Sequence, residues 1–160
     1  MQYISHYSSP IGVLTLVSDG EALSGILFEG HGVFGTYMEK EDLPIIAQTI
    51  KWLDAYFDGR DPGFTPKLCF NSTSFREEVW AILQTIPYGR TMSYGEIAKV
   101  IAKKRGIAKM SAQAVGNAVG SNPLPIIIPC HRVVGSDGSM VGYGGGLEKK
   151  IKLLHLEGIL

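Results

Sequence analysis

The residues with the clearest chemical potential lie together in Ile126-Ile127-Ile128-Pro129-Cys130-His131-Arg132-Val133-Val134. A cysteine sulfur is a strong nucleophile only as thiolate, and an adjacent base or cation raises the thiolate fraction. Here an imidazole and a guanidinium follow the thiol directly. The isoleucine run predicts a buried strand that Pro129 ends, so the sulfur is expected at a rigid strand end. A Cys beside a His is more often an accident, and a buried Cys is often plain core. The surroundings must therefore decide. Asn122-Pro123 precedes the run, Gly142-Tyr143-Gly144-Gly145-Gly146 follows it, and Leu153-Leu154-His155-Leu156-Glu157-Gly158 comes near the chain's end.

The elements that must position these groups fall into two segments, 1–70 and 71–160. In the first, alternating runs at 3–7, 13–17 and 23–28 predict strands, with Pro10-Ile11-Gly12 and Asp19-Gly20 as turns. Ile46, Ile50, Leu53 and Phe57 predict a helix from Pro44 to Phe57, stopped by Asp58-Gly59. Pro66–Phe70 predicts an edge strand, and Cys69, between Leu68 and Phe70, is expected in the core. In the second segment, Ser74-Phe75-Arg76-Glu77 and Ser93-Tyr94-Gly95-Glu96 read as capping boxes of two helices. The second helix ends in Lys103-Lys104-Arg105-Gly106, basic where the helix dipole favours it. A third helix runs from about Ser111 to Ser121. Two capped helices and a short turn suggest a helix-turn-helix. The third helix carries little bulk at Ala112, Ala114, Gly116, Ala118 and Gly120, which suits a backbone approaching the narrow minor groove better than one reading base edges in the major groove. Packing against the core is the ordinary role for its Val115 and Val119.

Charge sharpens this division. The 160 residues have a formal net charge of zero. Residues 1–70 nevertheless carry four basic and nine acidic side chains, and residues 71–160 eleven basic and six acidic. A basic second half is what phosphate neutralisation requires of a nucleic-acid-binding domain. No run has the length of a membrane span and no signal peptide is visible, so no membrane role is expected. Two distant cysteines argue against a disulfide framework or a zinc knuckle and favour the reducing cytoplasm.

Taken as a series, Asn-Pro, Pro-Cys-His-Arg-Val, Gly-Tyr-Gly-Gly-Gly-Leu and the closing Leu-Glu-Gly strongly resemble the O6-alkylguanine-DNA alkyltransferase family over residues 73–158. Ser9-Pro10-Ile11-Gly12 and Leu23-Ser24-Gly25-Ile26 are similar to the family's first domain. The resemblance implies an α+β fold, with a small ribonuclease-H-like N-terminal α+β domain (1–70) and a winged-helix-like, helix-turn-helix C-terminal domain (71–160). It implies a single-turnover DNA repair protein that moves an alkyl group from O6-alkylguanine irreversibly to Cys130, without cofactor or metal. O4-alkylthymine is left open as a second substrate. The partner implied is double-stranded DNA bearing alkylated guanine, bound by a monomer through the minor groove with the target nucleotide flipped out.

Roles follow residue by residue from that resemblance. His131 would take the Cys130 proton through a water, Glu157 would orient His131, and Asn122 would fix the bend before the thiol. Tyr94 would donate to guanine N3, while Val133, Tyr143 and Gly144 would line the base pocket. Ala112, Gln113, Ala114 and Gly116 on the thin helix, with Lys103, Lys104, Arg105 and Arg132, would contact DNA. The family often places an Arg where this chain has Gln113. His6 and His31 lack the Cys partners for the zinc site of some relatives. Two other readings compete: a non-catalytic alkyl-lesion-binding protein or regulator on the same scaffold, and an unrelated Cys-His hydrolase.

Overall fold

The computed structural model describes residues 1–140, 143 and 145–160, in two compact units. The first unit comprises Met1–Asn71 with Pro123–Pro125. Strands β1 (Gln2–Ser9), β2 (Gly12–Ser18) and β3 (Leu23–Leu27) form an antiparallel meander, and β4 (Tyr37–Glu39) pairs parallel to β1, giving the order β3-β2-β1-β4. The Pro10-Ile11 turn closes on Gly12, whose φ of 111° favours glycine. Helix α1 (Pro44–Phe57) has its proline in the first turn, where no N–H is needed. Its most buried stripe is Ile45, Thr49, Trp52 and Tyr56 beside Ile46 and Leu53, so the face is turned from the expected one, and Ile50 and Phe57 lie at its margin.

Two details of this unit depart from the expectations. Pro66–Phe70 forms one parallel bridge, Leu23 with Leu68, rather than a strand. Cys69 is only half-buried, and its Sγ lies 3.5 Å from Asp19 Oδ2. Strand β4 had no sequence signal because all three of its residues are exposed, so nothing alternates.

The second unit comprises Ser72–Asn122 and Ile126–Leu160. Helix α2 (Ser74–Leu83) is capped by Thr73, whose Oγ1 accepts from the Arg76 amide, one residue before the expected Ser74. The Glu77 carboxylate accepts from the Ser72 amide instead of closing the box on the cap residue. Strand β5 (Met92–Ser93) leads into α3 (Tyr94–Arg105). The expected capping box is present there: Ser93 Oγ accepts from the Glu96 amide and the Glu96 carboxylate accepts from the Ser93 amide, both at 3.0 Å. Gly106 ends α3 with a left-handed φ of 66°. Ser111 caps α4 (Ala112–Gly120), and α5 (Leu147–Leu156) follows strand β6 (Val133–Val134).

The isoleucine run is not a strand. Residues 124–128 turn, with Ile126 at φ 75°, and Cys130–Arg132 form one 3-10 turn. Prolines 123, 125 and 129 remove ladder donors on both sides of the run, so burial of Ile126, Ile127 and Ile128 is achieved by a turn. The strand comes after the thiol: β6 pairs parallel with β5 through Met92–Val133 and Ser93–Val134. Among the described residues no helix is long and apolar enough to cross a membrane.

Candidate active site

The β5–β6 bridge determines what surrounds the thiol. It sets Ser93 beside Val134, so Tyr94 starts α3 next to the 3-10 turn that carries Cys130. Asn122, two residues beyond α4, donates its Nδ2 to Ile128 O at 2.8 Å and hydrogen-bonds Cys130, and Tyr143 also lies close enough to the thiol to influence it. Asn122 therefore ties both arms of the turn together. Burial pushes the Cys130 thiol up from its ordinary range, and the Asn122 hydrogen bond, the Lys150 charge and the nearby Tyr143 pull against that. Tyr94 is also raised, by burial and then by the neighbouring Cys130.

Behind the thiol lies a buried ion-pair system. His131 Nε2 is 2.6 Å from Glu157 Oε2. Arg132 donates Nε to Oε1 at 2.8 Å and Nη2 to Oε2 at 3.2 Å. The Gly89 amide adds a second donor to Oε1 at 3.0 Å. Burial alone would raise the Glu157 carboxyl, but the bonds from His131, Arg132 and Gly89 outweigh it and hold it at about 2. Burial pushes His131 down, with Glu157 opposing and Arg132 and Lys150 reinforcing. Glu157 is the C-cap residue of α5, and its carboxylate reaches the turn before β5 and the 3-10 turn at once.

This geometry corrects Arg132. The residue is only 8% exposed, its Nη1 donates to Ile86 O at 2.7 Å, and its guanidinium lies over the Tyr88 ring. The side chain is buried with three of its five N–H groups on Glu157 and Ile86, so the expected DNA contact does not fit. Arg105 is also engaged: Nη2 lies 2.6 Å from Glu78 Oε2, and the guanidinium stacks over Phe75. Lys103 and Lys104 are exposed at the same end of α3. That end is about 15 Å along the helix from Tyr94, so the basic cluster and the thiol are separate surfaces.

On α4 the exposed residues are Ala112, Gln113, Asn117 and Gly120, while Val115, Ala118 and Val119 are buried. Gln113, Gly116, Asn117 and Gly120 recur at helical spacing and make one accessible stripe, Gly116 being half-buried. A Cβ on Gly120 would meet nothing within 4 Å, so no internal contact requires its glycine. Val133 is buried in β6, and its carbonyl accepts from Lys150 Nζ at 2.6 Å. Gly144, assigned to the base pocket, lies outside the described residues.

Lys150 is the residue that sequence reasoning missed. It is fully buried on α5, lowered by burial, with Cys130 opposing that shift. Beside Lys149 it has the composition of an ordinary exposed charged pair. The available signal was its position three and four residues before Leu153 and Leu154, on the apolar face.

A buried thiol next to the His131–Glu157 pair, in one unit with the packed helices α3 and α4, is an arrangement that suits a protein whose cysteine acts as a nucleophile. Residues 2–69 match the family described as "6-O-methylguanine DNA methyltransferase, ribonuclease-like domain", and residues 74–159 match "6-O-methylguanine DNA methyltransferase, DNA binding domain". The chain is 44% identical to a methylated-DNA--protein-cysteine methyltransferase of Mycobacterium leprae, covering 93% of this chain and 88% of the relative. It is 39% identical to the protein of that name from Haemophilus influenzae, covering 98% and 87%. The crystal structure of Mycobacterium tuberculosis OGT in complex with DNA is similar with a TM-score of 0.85 at 40% identity, covering 97% of this chain and 92% of that one. The chain belongs to the 6-O-methylguanine DNA methyltransferase family.

Proposed function

We propose that this chain performs its family's DNA repair reaction, the transfer of an alkyl group from O6 of guanine to a protein cysteine, with Cys130 as the acceptor. The observation that carries this reading is the buried His131–Glu157 pair, 2.6 Å long, on the residue next to the thiol. In the reaction a sulfur–carbon bond forms as the carbon–O6 bond breaks. Guanine leaves with the bonding electrons and takes up a proton, and the resulting thioether has no hydrolytic exit.

Each neighbouring group has a task in this step. Glu157 occupies Nε2 of His131, so the proton from the thiol goes to Nδ1. In a 3-10 turn successive side chains diverge by about 120°, which favours a bridging water over direct contact. The His131 cation that forms lies against Glu157, as in a triad. The Lys150 charge and the Asn122 hydrogen bond stabilise the thiolate. Tyr94 stabilises charge developing on the purine by donating to N3.

The DNA is held by α4 in the minor groove, with the alkylated nucleotide flipped into the pocket. Support comes from the accessible small-residue stripe and from the exposed lysines at the end of α3. Gln113 occupies the vacated space in the duplex. Gln113→Ala should slow transfer from an O6-methylguanine duplex while sparing transfer from the free O6-methylguanine base, and Gln113→Arg should speed the duplex reaction alone. A constant ratio of the two second-order rates across Gln, Ala and Arg would remove residue 113 from the flipping step.

A further inference from the structure

Helix α4 has an unusual mechanical problem. Its nine residues bury only Val115, Ala118 and Val119, and two of the nine are glycines. Such a helix has little bulk with which to interlock, and each glycine costs it about 1 kcal/mol of intrinsic stability. Its last carbonyls also lack partners within the helix. The Ala118 carbonyl loses its usual donor four residues on, because the Asn122 amide bonds Val119 O instead, and on its own element it is met by the Ser121 cap alone.

Trp80 supplies what α4 lacks, a bulky neighbour and a bond from another element. It lies on α2, is 2% exposed, and donates its indole Nε1–H to Ala118 O at 2.8 Å. Ser121 supplies two further donors to the same oxygen, its Oγ at 2.9 Å and its amide at 3.3 Å. These lie within the helix end itself and do not fix α4 in space. The indole bond comes from another element and does. The next residue is Asn122, which holds Ile128 O and Cys130.

We propose that Trp80 is a positioning residue that pins the end of α4 at a set distance from Cys130, so that DNA held on α4 delivers its flipped nucleotide to the sulfur. The inference rests on the reading of Cys130 as acceptor and α4 as the DNA-bearing helix. A thin helix can lie close to DNA only if its placement is fixed by direction rather than by bulk, and one buried hydrogen bond from a rigid bicyclic ring supplies that direction. Misplacement by about 1 Å can cost a reaction as much as 100-fold.

The test uses the full chain with Trp80→Phe, and with Trp80 replaced by its benzothiophene isostere, in which sulfur stands where the N–H was. The isostere keeps the ring's size, so it serves if the phenylalanine variant folds poorly. Three quantities are measured: the Kd for undamaged duplex, the transfer rate from an O6-methylguanine duplex at saturating protein, and the second-order rate with free O6-methylguanine base. The expected result is a duplex transfer rate lower by about 10-fold, with Kd and the free-base rate each within about twofold. Unchanged rates with a lowered melting temperature would make Trp80 a core residue only and overturn the proposal. So would a parallel fall in both rates, which would place its effect in the thiol pocket. Peptide mapping of the wild-type adduct checks the acceptor separately, so a wrong acceptor is distinguishable from a wrong role for Trp80.

Discussion

Glu157 holds the site together, and its replacement has a definite cost. Four donors converge on a carboxylate that is 7% exposed. Glu157→Gln leaves the Arg132 guanidinium buried beside a neutral amide, a type of change that costs about 3–5 kcal/mol. Urea unfolding at neutral pH should show that loss. The pH dependence follows from a carboxyl lowered from 4.5 to about 2. A carboxyl lowered on folding stabilises fully above its unfolded pKa and loses that contribution as pH falls through the folded value. The gap between wild type and Glu157→Gln should therefore be constant above pH 4.5 and close between there and about pH 2. At this scale the Asn-Pro, Pro-Cys-His-Arg and closing Leu-Glu-Gly motifs made it legible that Asn122, Cys130, His131 and Glu157 come together. Arg132 was misassigned because a sequence does not say which way a cation points, and Lys150 was passed over because buried lysines are rare.

Among the elements, α3 and α4 yield expectations that separate folding from DNA binding. A Cβ on Gly116 would stand 3.8 Å from the Tyr94 ring, an ordinary contact. Gly116→Ala should therefore leave stability unchanged or raise it by up to about 1 kcal/mol, while weakening duplex binding if the stripe faces a narrow groove. A thermal melt and an anisotropy titration together decide it; equal affinity would move the DNA off this face. Salt dependence should distinguish the basic residues at the end of α3. Neutralising Lys103 or Lys104 should each lower the log–log slope by about 0.9. Arg105→Gln should lower it less, because that guanidinium is already engaged by Glu78 and Phe75. Equal losses for all three would show that DNA displaces Glu78. Helices α1, α3 and α4 were legible because caps, prolines and apolar spacing agree locally. The isoleucine run was not, since its apolar character fits either strand or turn, and the flanking prolines decide between them.

For the whole molecule, the fold class and family were readable because the motifs are spread along most of the chain, and the matches at residues 2–69 and 74–159 agree with that reading. In the proposed reaction Cys130, one of two free cysteines, is the single acceptor. The direct test is to incubate the protein with excess O6-methylguanine duplex, follow methyl transfer to its end, and map the adduct by peptide mass spectrometry. Transfer should stop at one equivalent, with one methylene's mass added to the Cys130 peptide and none to the Cys69 peptide. Cys130→Ala should bind the duplex and transfer nothing. Turnover beyond one equivalent, methyl on Cys69, or transfer retained by Cys130→Ala would contradict the account.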